Sequence, residues 1–140
     1  MRWAIKAAES GIPSLMIKTY QSIINAPTGW RWRDDWIVNS KKPFRVVHGM
    51  GYSGQKGHRF AAIDAHISTV IGHLHSHGGI DIICNSHTPG DWIWAANAGC
   101  LINPTKYAFA YGKWNRSKPT LGSVVVTNRG STPLWIPYDC

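Results

Sequence analysis

Val70-Ile71-Gly72-His73-Leu74-His75 is the stretch that decides how this chain is read. A short β-branched run stops at a glycine and delivers two imidazoles, one residue apart, at its end. Upstream, Phe44-Arg45-Val46-Val47-His48-Gly49 repeats the arrangement as apolar run, histidine, glycine. Such runs pack well on a pleated surface, so each reads as a short buried strand. A neutral imidazole binds zinc, manganese or iron through one ring nitrogen, and a strand end leaves that ligand little freedom. In an extended chain, residues two apart face the same side, which would aim His73 and His75 into one cavity. Gly49 and Gly72 supply backbone that turns sharply or approaches an ion. A plainer reading stands beside this one. Seven histidines in 140 residues produce close pairs by chance, and a histidine on an apolar run is commonly a hydrogen-bonded core residue. The order of the set, strand-His-Gly, helix, strand-Gly-His-x-His, favours the metal reading.

Working outward, Gly49, Gly51 and Gly54 mark a loop suited to an active-site wall. Residues 56–66 then read as a helix with Phe60, Ile63 and Ile67 on one side. Strand, loop, helix and strand in this order form the connection of a parallel pair. Beyond His75 the pattern changes to hairpins, with strands expected at 80–84, 92–96, 121–127 and 134–136. Thr88-Pro89-Gly90-Asp91 and Asn128-Arg129-Gly130 are turn signals. Toward the N-terminus, residues 3–9 and 14–25 read as helices separated by Gly11-Ile12-Pro13. Ser14 is a candidate cap, and Leu15, Met16, Ile23 and Ile24 form a loose apolar face. Pro27-Thr28-Gly29 is a turn, and a strand is expected over 30–38. The fold class expected is α/β (α+β), with mixed β-sheet layers flanked by helices and two N-terminal helices. Residues 1–140 read as one domain, made of a helical segment 1–28 and a body 29–140.

The ordered motifs resemble the C-terminal half of the calcineurin-like metallophosphoesterases, in the compact form common in bacteriophages. The family's last two motifs are a His, often followed by Gly, and then Gly-His-x-His; they match His48-Gly49 and Gly72-His73-Leu74-His75. The tail is similar too: Asn97-Ala98-Gly99-Cys100-Leu101, then Tyr107, then the run from Leu121 to Val126. The likeness covers about residues 30 to 127. It implies a partial metallophosphoesterase-like fold, with His48 and His73 on one divalent metal (Mn, Zn or Fe) and His75 on a second. Two such ions activate water for hydrolysis of a phosphomonoester or phosphodiester.

The family's earlier motifs, Asp-x-His, Gly-Asp and Gly-Asn-His-Asp/Glu, have no counterpart here, so no catalytic residue is carried over. Asp34-Asp35 runs into Trp36, and Asp64 falls inside the expected helix. Two closely spaced cations need bridging anionic oxygen to offset their repulsion, whereas three imidazoles suit one zinc with an open position. The resemblance therefore implies a truncated or split phosphoesterase with weak or absent turnover as an isolated chain. An acidic N-terminal half-chain or a second copy in a homo-oligomer would complete it.

Other residues are secondary. His77 follows His75 by two and is a candidate for the metal set or for substrate phosphate. Lys56 and Arg59 are phosphate-contact candidates whose alternative is a solvated helix face. His58, His66 and His87 have no motif around them and read as exposed or structural. Cys84 is a conceivable further ligand, but an odd count of three cysteines without Cys-x-x-Cys spacing suggests small buried residues. The net charge of +8 draws polyanions. Trp30, Trp32 and Trp36 among Arg31, Arg33 and the Lys41-Lys42 pair suit stacking on unpaired bases or an alternating strand with tryptophans inward. Two further functions stay open: a catalytically dead protein that docks on a host or phage protein, and a basic nucleic-acid-binding protein. No apolar run approaches the ~20 residues of a membrane span, and no signal-peptide core is visible. A cytoplasmic place is expected, in the host if the chain is phage-encoded.

Overall fold

The computed structural model describes residues 6, 8–13, 16, 18, 20–31, 33–84, 92–102 and 118–138. The chain divides into two compact units, Met1–Arg33 and Asp34–Cys140. Among the described residues no helix is long and apolar enough to cross a membrane.

In the first unit, α1 (Tyr20–Ile23) is a helix of four residues. Lys6, Ala8 and Glu9 are also helical, and the Ser10 N–H donates to the Lys6 carbonyl at 3.0 Å. Among the described residues α-helix in this unit is limited to these positions, so the two N-terminal helices expected from sequence are not supported there, and the candidate cap Ser14 lies outside the described residues. The physical reason is packing. A short helix is marginal in water unless an apolar face is buried, and Met16, Ile23 and Ile24 are all exposed.

The second unit holds β1 (Asp35–Val38), β2 (Phe44–Val47), α2 (Gly57–Ala65), β3 (Ser68–Ile71), β4 (Gly79–Cys84) and β5 (Trp92–Asn97). A hairpin follows, β6 (Gly122–Thr127) and β7 (Thr132–Pro137), joined through a 3-10 turn at Asn128–Gly130. The five earlier strands form one mixed sheet in the order β1-β2-β3-β5-β4. β2, β3 and β5 run parallel, while β1 and β4 are antiparallel edges. The α/β class holds in this coarse form, a mixed sheet with a helix.

The central strands explain themselves. β3 and β5 are buried nearly throughout, and their sequences, Ser-Thr-Val-Ile and Trp-Ile-Trp-Ala-Ala-Asn, carry no charge. A strand covered on both faces needs that composition rather than alternation. On one face α2 presses Ala62 onto Ile83, Ile93 and Ala95, with Ile63 alongside. Small side chains let the helix approach closely. Trp94 alternates with Ala95 and so points to the opposite face. It is fully buried, its ring centroid lies 5.4 Å from that of Phe44, and its Nε1–H donates to the Gly130 carbonyl at 3.0 Å.

One expected strand is cut down. The run 30–38 is extended only over Asp35–Val38, and all four of those residues are exposed. Trp30 and Trp36 are 57% and 40% exposed, so neither is the inward residue of an alternating strand; Trp32 lies outside the described residues. The turn at 88–91, His87 and Tyr107 also lie outside them.

Because Trp94 joins two layers, Trp94→Ala is expected to lower stability by about 3–5 kcal/mol, the usual range for deleting a large buried aromatic. Urea unfolding followed by circular dichroism checks this. A loss under 1 kcal/mol would show that the β6–β7 hairpin does not rest on this ring.

Candidate metal centre

The parallel pairing of β2 and β3 sets Val47 opposite Ile71, so both chains leave the sheet at the same level. The His48 carbonyl then accepts the Gly72 N–H at 3.3 Å, extending the ladder one step past the strands. Gly49 takes a φ of +95°, and a Cβ there would sit 3.0 Å from Ile71 Cβ and 3.3 Å from His73 Cβ. Glycine is what lets this backbone lie against the end of β3. Gly72 carries no such demand, since a Cβ there would meet nothing within 4 Å.

The outcome is a pair of imidazoles. Nε2 of His48 and Nδ1 of His73 lie 3.2 Å apart, with the rings edge to face and their centroids 5.0 Å apart. Two nitrogens at ~2.0–2.1 Å from one tetrahedral ion would themselves be separated by about 3.3 Å. The pair therefore has a chelating bite; without an ion, the same spacing serves a shared proton. The proton affinity of His48 is pushed below its ordinary range, first by desolvation among its neighbours and then by the charges of His73 and His75. A neutral imidazole is the form that binds metal.

His75 takes a different path from the one the period-two pattern suggests. Residues 72–74 are irregular, and Leu74-His75-Ser76-His77 forms a turn closed by the His77 N–H on the Leu74 carbonyl at 3.2 Å. Alternation along an extended strand no longer governs where His73 and His75 point. His75 is exposed and acts electrostatically on His48. Among the described residues, no three His, Cys, Asp or Glu side chains converge into a metal cage.

The turn is held from beneath. Thr120 N–H donates to the His75 carbonyl at 2.7 Å, and the Cys100 thiol lies 3.6 Å from the same oxygen. Asn97 Nδ2 donates to the carbonyls of Leu74, at 2.8 Å, and of His77. Asn97 and Cys100 are both buried behind the turn. Cys84 closes β4, and its side chain lies outside what is described.

The remaining candidates form a second group at the start of α2. His58, only 4% exposed, places Nε2 3.3 Å from Asp81 Oδ2 on β4. Lys56 Nζ lies 3.5 Å from the same oxygen. The His77 ring centroid is 6.4 Å from that of His58. Lys56 thus has a carboxylate partner, and Arg59, half-buried on α2, makes no contact with His48 or His73 in the interactions described. Sequence reasoning gave His58 no special part. Its partner lies on a strand far along the chain, and nothing local marks the pairing. His66 ends α2 in the left-handed conformation and is exposed, a capping role.

No protein-family model, curated protein or solved structure matches this chain.

Burial holds the proton affinity of His58 below its ordinary value, against the opposing pull of Asp81, while His77 and Lys56 lower it further. Its folded pKa therefore lies below the unfolded 6.5. As pH falls through 6.5 the unfolded chain takes up a proton first, so stability present at neutral pH is lost toward the lower folded value. Urea midpoints are expected to fall between about pH 7.5 and 5. His58→Gln should flatten that slope, and a slope unchanged by this substitution would exclude His58 as its source.

Proposed function

We propose that this chain is the C-terminal half of a calcineurin-like metallophosphoesterase, with His48 and His73 forming one wall of a divalent-metal site. The observation that carries the reading is the 3.2 Å separation of their ring nitrogens at the ends of two adjacent parallel strands. Ligand sites of open α/β sheets gather at the carboxyl ends of such strands. The donor chemistry fits Zn, Mn or Fe. His48 and His73 would hold the ion, and the resemblance would give a second ion to His75, which acts electrostatically on His48. A divalent cation at this place supplies Lewis-acid chemistry to phosphate-ester hydrolysis. His77, at the far end of the turn, would join the metal set or meet substrate phosphate, with Lys56 at the start of α2 and Arg59 on it as further phosphate candidates.

Two imidazoles are half a site. The remaining ligands, and any carboxylate bridging two ions, come from an acidic half-chain or a second copy. The isolated chain should therefore bind one zinc ion and turn over slowly or not at all. Calorimetry with zinc tests this directly. Wild type is expected to bind one equivalent, and His48→Ala and His73→Ala should each weaken binding more than tenfold. Zinc binding equal in wild type and the double variant would remove the proposal's foundation. Brisk manganese-dependent hydrolysis of a generic phosphodiester by the single chain, lost on His73→Ala, would overturn the half-site reading instead.

A second reading rests on a different observation. The edge strand β1 exposes Trp36, Ile37 and Val38 together, and an exposed apolar edge favours pairing with another chain. On that reading the protein binds a host or phage protein, and the imidazole pair is inherited structure. The nucleic-acid reading has the charge of +8 and the exposed Trp30 and Trp36 among basic residues in its favour.

A further inference from the structure

Asn97 occupies a position that the sheet order makes special. β3 and β4 are consecutive in the chain, yet β5 lies between them. The segment 72–78 must therefore cross over the end of β5. Ile71, where it departs, pairs with Asn97 on one side, and Gly79, where it lands, pairs with Asn97 on the other. Asn97 is the last residue of β5 and sits directly under the crossing.

Its side chain is used accordingly. Asn97 is fully buried, and its Nδ2 donates to the carbonyls of both Leu74 and His77, the two ends of the turn that contains His75. Its Oδ1 is buried with no hydrogen-bond partner. A buried acceptor without a donor destabilises the fold, so an apolar residue would serve the sheet better here. What the carboxamide provides is two donors in one plane, facing two carbonyls of the crossing. His73 immediately precedes the clamped turn, and its meeting with His48 depends on where that turn lies.

We infer that Asn97 is the positioning residue of the histidine turn: its Nδ2 group fixes the crossing 72–78 and thereby sets His73 against His48. This rests on the reading of His48 and His73 as a metal wall, and it adds a residue that touches neither metal nor substrate. The Thr120 N–H on the His75 carbonyl secures the middle of the same turn, so Asn97 and Thr120 hold three successive points of it.

Asn97→Asp tests the inference with no change of volume, since it removes both donors and sets carboxylate oxygen against two carbonyls. Asn97→Ala removes the donors without adding charge. Two readouts are taken on the full chain: zinc affinity by calorimetry, and the imidazole and amide resonances of His73, Leu74, His75 and His77. Each variant should bind zinc about tenfold more weakly, as loss of ligand-supporting contacts does. The shifts and broadening should be confined to those four residues, with β2 and α2 unmoved. Unchanged zinc affinity alongside unchanged turn resonances would overturn the assignment, as would loss of all folded dispersion in both variants, which would make Asn97 a residue of the fold. Should wild type fail to bind zinc, the metal reading falls, and the turn resonances still decide the role of Asn97.

Discussion

The parallel register of β2 on β3 is the constraint from which the site follows. With Val47 opposite Ile71, the two chains emerge side by side, and the bond from Gly72 N–H to the His48 carbonyl carries their alignment beyond the strands. A slip of one residue would turn every side chain of β2 to the other face. His48 would then leave His73, and Phe44 would leave the ring of Trp94. Burial of Thr69 and Ile71 on β3 resists such a slip. The energy that fixes the imidazole pair is thus drawn from the apolar core a short distance away, and not from the histidines.

The acidic residues bear on the proposed half-site. The chain has seven carboxylates against fifteen lysines and arginines. Of those described near the sheet, Asp35 pairs with Arg45 at 3.1 Å, and Asp81 is shared between Lys56 and His58. Both are committed to stabilising contacts on the fold. Neither is among the groups that act on His48. On the proposed reading, a second cation beside the first would meet like charge with no anionic oxygen among the described residues to offset it. The half-site reading follows from this distribution as much as from the motifs that are missing.

Much of the second unit was legible in sequence, for identifiable reasons. The β2 to β6 runs are rich in β-branched or other apolar residues, with turn residues such as Gly, Pro or Asn near their ends, and composition and period agree there. In the N-terminal segment the described apolar residues Met16, Ile23 and Ile24 are exposed, and an apolar face with nothing over it does not hold a short helix. The strand at 30–38 failed similarly, for alternation of Trp with Arg mimics a half-buried strand even where Trp30 and Trp36 face solvent. At the site, His48 and His73 were legible from their glycine-flanked strand ends. The departure of His75 from an extended path was not, because the crossing over β5 is a property of strand order. His58 and Asp81 were invisible for the same reason, being local neighbours only after α2 has docked.

Strand order also explains how a loop comes to present histidines at a fixed place. Loops on protein surfaces ordinarily satisfy their backbone groups with water and remain mobile. The crossing 72–78 is different, because it is forced over the end of a buried strand, where the carbonyls of Leu74, His75 and His77 face protein. Those carbonyls need donors, and besides the turn's own His77 N–H and the Cys100 thiol these are a carboxamide at the end of β5 and the Thr120 N–H. Gly99, with φ at +80° and a would-be Cβ 2.5 Å from the Thr120 carbonyl, is what brings that second donor close. The Asn97-Ala98-Gly99-Cys100 segment is then the floor on which the histidine turn rests. A turn supported in this way holds the imidazole of His73 beside that of His48, and on the proposed metal reading a pair held so would bring little ordering cost to binding.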